Sequence, residues 1–420
     1  MTSKKSFLLS IDALRPDHLP AYGYAKDTAP FLTELAEENT LFTNAYASST
    51  HTPEAVPSIL TGKYPDHFSE NNFDLVTKSV PQLLGENDVL TAGINSNLRC
   101  SRIHGYHTHF DYFFDDLIAT QNEFLVKIQR FLKKHIQGRD LYAARADRIN
   151  NEILSWIDSI DGQSEWFMWA HYMDPHNPYC PPRGYRNGIS KQEIDKLNQK
   201  YLDDPDATTE HERKVLEELY DLEIQYLDDK LRELFKELEQ RGILDEMVIY
   251  IISDHGEAFW ENGLHNHPRV LDDLLLHIPL IVVEPNSDGK TISTPVSAVD
   301  LAPTILESFG IKCDLLPGTS LDKVEPDSDR VVFSQVVGEE RTGNSHLRRY
   351  SARNKAGRYT IEVNRNNGEI TAEDGGEESL RQTLVDHIES RDNVVGSHQV
   401  STKNVSSHEV ESRLESLGYK

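Results

Sequence analysis

Five consecutive residues, Val248, Ile249, Tyr250, Ile251 and Ile252, are apolar and mostly β-branched, and the run stops at Ser253, Asp254, His255, Gly256 and Glu257. Such a run suits a strand buried on both faces, as in a parallel sheet covered by helices. In open α/β sheets, ligands bind beyond the carboxyl ends of the strands, so Asp254 and His255 stand where chemistry is done. The pattern recurs at Phe7, Leu8, Leu9, Ser10 and Ile11 before Asp12. It recurs again at Trp166, Phe167, Met168, Trp169 and Ala170, before His171, Asp174 and His176. Three strands delivering carboxylates and imidazoles to one edge point to a metalloenzyme with an α/β fold.

Strand-like and helix-like stretches alternate from Phe7 to about Gly310, as expected for a mostly parallel sheet between helical layers. Helices are expected over residues 28–39, around 58–60 with a stop at Gly62, along the face formed by Ile149, Ile153 and Ile157, over 208–242, and from 300. Further strands are expected at 89–94 and 277–283, and the basic stretch 121–140 reads as an added surface helix. Past Lys312 the sequence turns polar, with strand candidates at 331–336 and 359–363. The chain therefore divides into a catalytic domain over 1–322 and a small α+β subdomain over 323–420, with a polar stretch at 393–404 before a final short helix.

Charge narrows the function. The chain has 43 basic and 69 acidic residues in 420, a net charge of −26. This field repels nucleic acid and anionic membranes. Acids spread along the whole chain suit a salt-rich cytoplasm, where counterions screen the self-repulsion, and predict a halophilic protein. Cys100, Cys180 and Cys313 form no C-x-x-C pair, which argues against a disulfide framework or thiolate metal site. No run of about 18 apolar residues offers a membrane span, and no apolar leader precedes the first strand, so the cytoplasm is the expected location.

Thr52 precedes a proline at the entry to a helix. It can be read as an N-cap, or as a nucleophile at a helix N-terminus, where free N–H groups favour a bound anion. An unassisted threonine hydroxyl is a poor nucleophile and needs a metal or base.

The ordered set of these segments resembles the sulfatase branch of the alkaline phosphatase superfamily over most of residues 6–322. The resemblance rests on Asp12 to His18 with Tyr22, Gly23 and Tyr24, on Thr52 followed by Leu60, Thr61 and Gly62, and on His171 to Tyr179. It is completed by Tyr220 to Ile224, Ser253 to Glu257, Asp300 to Thr304 and Gly318 to Leu321. It implies a three-layer alkaline-phosphatase-like fold and one divalent ion (Mn, Mg, Ca or Zn) on Asp12, Thr52, Asp254 and His255. It implies Thr52 as the nucleophile and His176 as a contact to the substrate's oxygens or leaving group. His171, His265 and His267 are further candidates for substrate contact, with His267 favoured over His265. His171 also reads as a buried residue behind the ligands. Asp174 could be a second metal ligand, although its spacing to His176 differs from that of two-zinc relatives. Arg15 and Asp17 read as structural.

The sequence departs from the family where sulfatases carry Cys-x-Pro-x-Arg. Thr52, Glu54 and Val56 occupy those positions, so no formylglycine is expected, and Ala13 replaces a second aspartate. Both changes resemble threonine-using relatives that act on phosphorus esters through one metal. The expected partner is an anionic ester, with glycan-derived esters among the options; the oligomer is left open. A hydrolase is the first reading, a phosphoalcohol transferase on a glycan or lipid the second, and a non-catalytic binding protein the third.

Overall fold

The computed structural model describes residues 4–69, 73–75, 77–116, 144–162, 164–337 and 346–395. The expected surface helix at 121–140 and the expected final helix lie outside these residues. Strand β1 (Lys5–Ile11) is buried along its whole length. Its alternate residues feed two cores: Phe7, Leu9 and Ile11 join one apolar cluster, and Leu8 joins the other. This alternation puts a strand in the middle of a three-layer fold.

The main sheet also contains β2 (Thr40–Tyr46), β3 (Leu90–Ile94), β4 (Tyr112–Phe114), β5 (Trp166–Tyr172) and β6 (Met247–Ser253). A two-stranded ladder, β7 (Ala258–Phe259) and β8 (His265–Asn266), lies off it. The sheet is completed by β9 (His277–Val283), β10 (Lys290–Ile292) and β11 (Val296–Ser297). The order is β10-β2-β9-β6-β1-β5-β3-β4, with β11 beside β2. Strands β6, β1, β5, β3 and β4 run parallel, whereas β9 is antiparallel to both β6 and β2. The sheet is thus mostly parallel, with β9 the reversed strand between β2 and β6.

Helices Pro30–Glu38, Ala146–Ser159 and Glu210–Gln240 cover one face. Helices Thr52–Thr61, Val80–Gly85 and Leu301–Ser308 cover the other. The long helix starts at a capping box in which Thr209 and Glu212 satisfy each other's backbone N–H groups. Gly62 ends the Thr52 helix with φ of 67°, a left-handed C-cap in which a Cβ would approach Ala302 Cβ to 2.9 Å.

A second, antiparallel sheet follows: β12 (Val332–Val337), β13 (Leu347–Arg353), β14 (Arg358–Asn364) and β15 (Glu369–Gly375). Helix Glu378–Val395 packs on it through Leu380, Leu384 and Ile388. Residues 393–395 therefore finish a helix rather than open a polar loop, because this face covers Tyr350 and Ile361. The small sheet is tied to the large one. Gln335 N donates to Ser48 O at 2.8 Å and Ser334 Oγ to Ala47 O at 2.6 Å, just ahead of Thr52.

Candidate active site

Register assembles the site. Ile11 of β1 pairs with Tyr172 of β5 on one side and Ser253 of β6 on the other, so the residues that follow emerge side by side. Asp12 N donates to Tyr172 O at 2.9 Å, and Asp254 N to Ile11 O at 3.3 Å. Asp12, Asp254 and His255 are all fully buried. Among the described residues they are the one group of three whose potential ligand atoms lie within 4.8 Å of one another.

The hydrogen bonds show which atoms remain for a cation. Asp12 Oδ2 faces Thr52 Oγ1 at 3.3 Å, Asn97 Nδ2 at 3.0 Å and His171 Nε2 at 3.3 Å. Asp12 Oδ1 has no partner. Asp254 Oδ1 accepts Ala13 N–H at 3.2 Å and His255 N–H at 2.9 Å, while Asp254 Oδ2 has none. His255 Nδ1 meets Gly256 O at 2.8 Å. A carbonyl only accepts, so Nδ1 carries a proton, and Nε2 is the ring nitrogen left to offer a lone pair to a cation. That Nε2 stands 3.6 Å from Asp12 Oδ1, 3.7 Å from Asp254 Oδ2 and 3.3 Å from Thr52 Oγ1. Two orphaned buried carboxylate oxygens and an imidazole lone pair fit a hard or borderline divalent ion. Burial alone would raise the Asp12 pKa, yet the imidazoles of His176, His171 and His255 hold it well below the usual carboxylate range.

Thr52 opens its helix at the first helical position, and the N-cap is His51. The N-cap reading of Thr52 thus gives way to a hydroxyl aimed at Asp12 and His255. His171 lies behind Asp12: Trp169 Nε1 donates to Ser10 Oγ at 2.8 Å, which meets His171 Nδ1 at 2.9 Å, and His171 Nε2 faces Asp12. His176 Nε2 is 4.0 Å from Asp12 Oδ1, and its Nδ1 donates to Asn177 O at 2.5 Å. The ring of His267 lies 4.7 Å from that of His255, 5.2 Å from His51 and 5.3 Å from His176. His265 instead packs on Trp260, with centroids 6.2 Å apart; Asn266 between the two histidines has a left-handed φ of 57°, which breaks the strand alternation that would have put both rings on one face.

Asp174 turns away from the cluster. It accepts from Arg145 Nη1 at 2.6 Å and Ala146 N at 3.0 Å, so the second-metal-ligand option is closed by a buried ion pair. Arg15 binds Asp17, Glu261 and the Glu257 carbonyl, a structural role.

Three further residues of the site are not among the candidates expected from the sequence. Asn97, after β3, donates to Asp12. His51 is pushed far below its ordinary pKa, first by burial and then by Arg269 and His267. Glu257, fully buried, accepts from Tyr179 Oη at 3.0 Å and meets His267 Nδ1 at 3.3 Å. Burial would lower the His267 pKa, but the Glu257 carboxylate, followed by Asp12 and Asp254, raises it. Position after the Asp-His-Gly turn was the available clue for Glu257; Asn97 had none.

The fold is an alkaline-phosphatase-like three-layer α/β/α architecture with an Asp-Asp-His cluster at the carboxyl edge of its sheet. The Sulfatase family model matches residues 5–311, and the chain belongs to that family. It is 24% identical over 335 residues to the low-salt glycan biosynthesis sulfotransferase Agl7 of Haloferax volcanii, covering 79% of this chain and 67% of the relative. It is 27% identical over 208 residues to the choline-sulfatase of Rhizobium meliloti, covering 45% of this chain and 39% of that protein. In structure it is similar to the phosphonate monoester hydrolase of Agrobacterium radiobacter, with a TM-score of 0.68, 17% identity and coverage of 94% and 96% of the two chains. It is also similar to the lipoteichoic acid synthase LtaP of Listeria monocytogenes, with a TM-score of 0.65, 16% identity and coverage of 95% and 94%. At these identities the structural likeness establishes the fold. Among the described residues, no helix is long and apolar enough to cross a membrane.

Proposed function

We propose that this chain is a metal-dependent hydrolase that cleaves a phosphorus ester through a covalent intermediate on Thr52. The observation that carries this reading is the position of Thr52 Oγ1, 3.3 Å from both Asp12 Oδ2 and His255 Nε2. Asp12, Asp254 and His255, with Thr52 Oγ1, are the residues that would hold the ion. When bound, a divalent ion lowers the pKa of a coordinated hydroxyl and neutralises charge on the ester.

The chain's own groups divide the remaining work. Asp12 and His255 aim the Thr52 hydroxyl. His176 and His267, whose rings lie 5.3 Å apart beside the cluster, are the donors for the leaving oxygen. Glu257 fixes the ring of His267 and favours its protonated form. Water then attacks the threonyl ester at phosphorus, the bond from phosphorus to Thr52 Oγ1 breaks, one water proton returns to Oγ1, and the phosphate product leaves. Phosphorus is favoured over sulfur because a threonyl ester cannot collapse as a formylglycine hemiacetal does, and Thr52 stands at the position of that precursor.

A second reading, transfer to an acceptor alcohol, draws support from the likeness to a glycan sulfotransferase and to lipoteichoic acid synthases. The test is a panel of aryl phosphate, phosphodiester, phosphonate and sulfate esters in high salt with Mn²⁺, with and without an alcohol acceptor. Turnover of a phosphorus ester supports the proposal. Turnover of the sulfate ester alone sinks the phosphorus assignment, and acceptor-dependent turnover favours transfer.

A further inference from the structure

Asp254 Oδ2 is left for a cation because Oδ1 is occupied, and one of the two donors to Oδ1 depends on an unusual turn. Ala13 has φ of 57°, in the left-handed region that residues with a Cβ seldom enter. In that conformation its N–H reaches Asp254 Oδ1 at 3.2 Å. The next residue, Leu14, donates its N–H to Ser253 Oγ at 2.9 Å, which pins the other side of the turn to β6.

The turn is closed from a third element. Tyr220, on the long Glu210–Gln240 helix, donates its hydroxyl to Ala13 O at 2.7 Å and accepts from Arg15 N at 2.9 Å. Tyr220 is fully buried, and its ring packs against His18, Tyr179 and Phe259. One hydroxyl therefore satisfies a carbonyl and an N–H on either side of the left-handed bend. Without it both groups would be buried and unpaired, and the bend would lose what opposes its intrinsic cost.

We propose that Tyr220 is a positioning residue for the metal centre: its hydroxyl holds Ala13 left-handed, and the Ala13 N–H in turn aims Asp254. It touches neither ion nor substrate and acts through Ala13. The inference rests on the metal reading of the Asp12, Asp254 and His255 cluster.

The test titrates Mn²⁺ alone into the metal-stripped full-length protein, followed by electron paramagnetic resonance, with circular dichroism to confirm folding. Tyr220→Phe keeps the ring and removes only the hydroxyl. Its Mn²⁺ affinity should fall by roughly 10-fold or more, the scale of loss when an outer partner of a metal ligand is removed. Adding Ala13→Gly to Tyr220→Phe should restore much of that affinity, because glycine enters the left-handed region without penalty. Wild-type affinity in folded Tyr220→Phe overturns the proposal. So does a loss that Ala13→Gly leaves untouched, since a general packing defect would behave that way. If Tyr220→Phe does not fold, Ala13→Val supplies the test with Tyr220 intact: it disfavours the left-handed bend, so the same loss is expected, and unchanged affinity overturns the idea. A wild-type protein that binds no Mn²⁺ overturns the metal reading itself, together with this one.

Discussion

Glu54, fully buried in the first turn of the Thr52 helix, forms an ion pair with Arg269, which arrives from the loop two residues beyond His267. Arg269 Nη1 also donates to Val337 O at 2.9 Å, and Arg349 Nη1 donates to Arg269 O at 2.9 Å. Arg269 thus joins the Thr52 helix, the histidine loop and the small C-terminal sheet. Removing Arg269 would strand a buried carboxylate, so Arg269→Ala should cost about 3–5 kcal/mol. Adding Glu54→Gln to Arg269→Ala should recover part of the loss. Chemical denaturation of the two variants and the wild type reads this directly, and a loss under about 0.5 kcal/mol, the surface-substitution range, would contradict the pairing.

Thr52→Ala separates helix chemistry from catalysis. With His51 at the N-cap, a purely structural Thr52 should lose less than a missing cap does, about 0.5–2 kcal/mol, and leave turnover intact in the folded fraction. A nucleophile takes several orders of magnitude of rate with it while stability changes little. Rapid quench followed by mass spectrometry should find a phosphate-sized adduct on the peptide containing Thr52. Near-normal turnover by folded Thr52→Ala would return the residue to the helix.

Chelation should act on the fold as well as on the rate. Asp12 and Asp254 are buried with one unpartnered oxygen each, so an ion bound there stabilises the native state. At free metal 100 times its dissociation constant the gain is about 2.7 kcal/mol. Stripping the metal with EDTA should lower the melting temperature and abolish turnover, and Mn²⁺ should restore both. An unchanged melting curve would remove the ion from this cluster.

His387 predicts an acid limit for the docking of the last helix. Its ring stacks on Phe333 at 3.9 Å and meets Tyr64 edge-on at 5.0 Å, while Arg391 above Tyr64 pairs with Asp66. Burial, then Arg391, push its pKa down from 6.5 to about 3. The folded state therefore holds the ring neutral where the unfolded chain takes up a proton. Stability is complete above the unfolded pKa of 6.5 and falls as pH drops toward 3, by about 1.4 kcal/mol per pH unit. His387→Leu should flatten this part of the profile; an unchanged slope would show that other groups set it.

Salt should have the opposite effect to the one it has on most exposed ion pairs. With a net charge of −26, self-repulsion is strong at low ionic strength and screened above about 0.1 M, where the Debye length is about 10 Å. The melting temperature should rise from dilute buffer to multimolar KCl. A flat curve would dismiss the halophilic reading.

Several elements were legible because their cause is local. Residues 248–252, 7–11 and 166–170 had to be strands, since such apolar runs need cover on both faces, and each was expected to release its acid at one edge. The long helix was readable from Leu216, Leu219, Leu227, Leu231, Leu234 and Leu238, and its stop from Gly242. By contrast β2 and β13 were not anticipated. β2 mixes Thr40, Thr43 and Asn44 with apolar residues, and β13 carries Arg348, Arg349 and Arg353, so neither shows a clear period. Helix Glu378–Val395 was not anticipated either, although Leu380, Leu384 and Ile388 recur at helical spacing; the many polar residues between them masked that stripe.

The sequence by itself determined the strand-to-acid transitions, the apolar alternation that builds a covered sheet, and the residue types at its edge. Tertiary structure decided which of those residues meet. Register between β1, β5 and β6 puts Asp12 beside Asp254, Asp174 goes to Arg145 instead, and the left-handed Asn266 turns His267 toward the cluster and leaves His265 on Trp260. Asn97 and Tyr220 join the site from the loop after β3 and from a helix more than two hundred residues beyond Asp12. Their roles follow from hydrogen-bond geometry across the fold, which spacing along a chain does not encode.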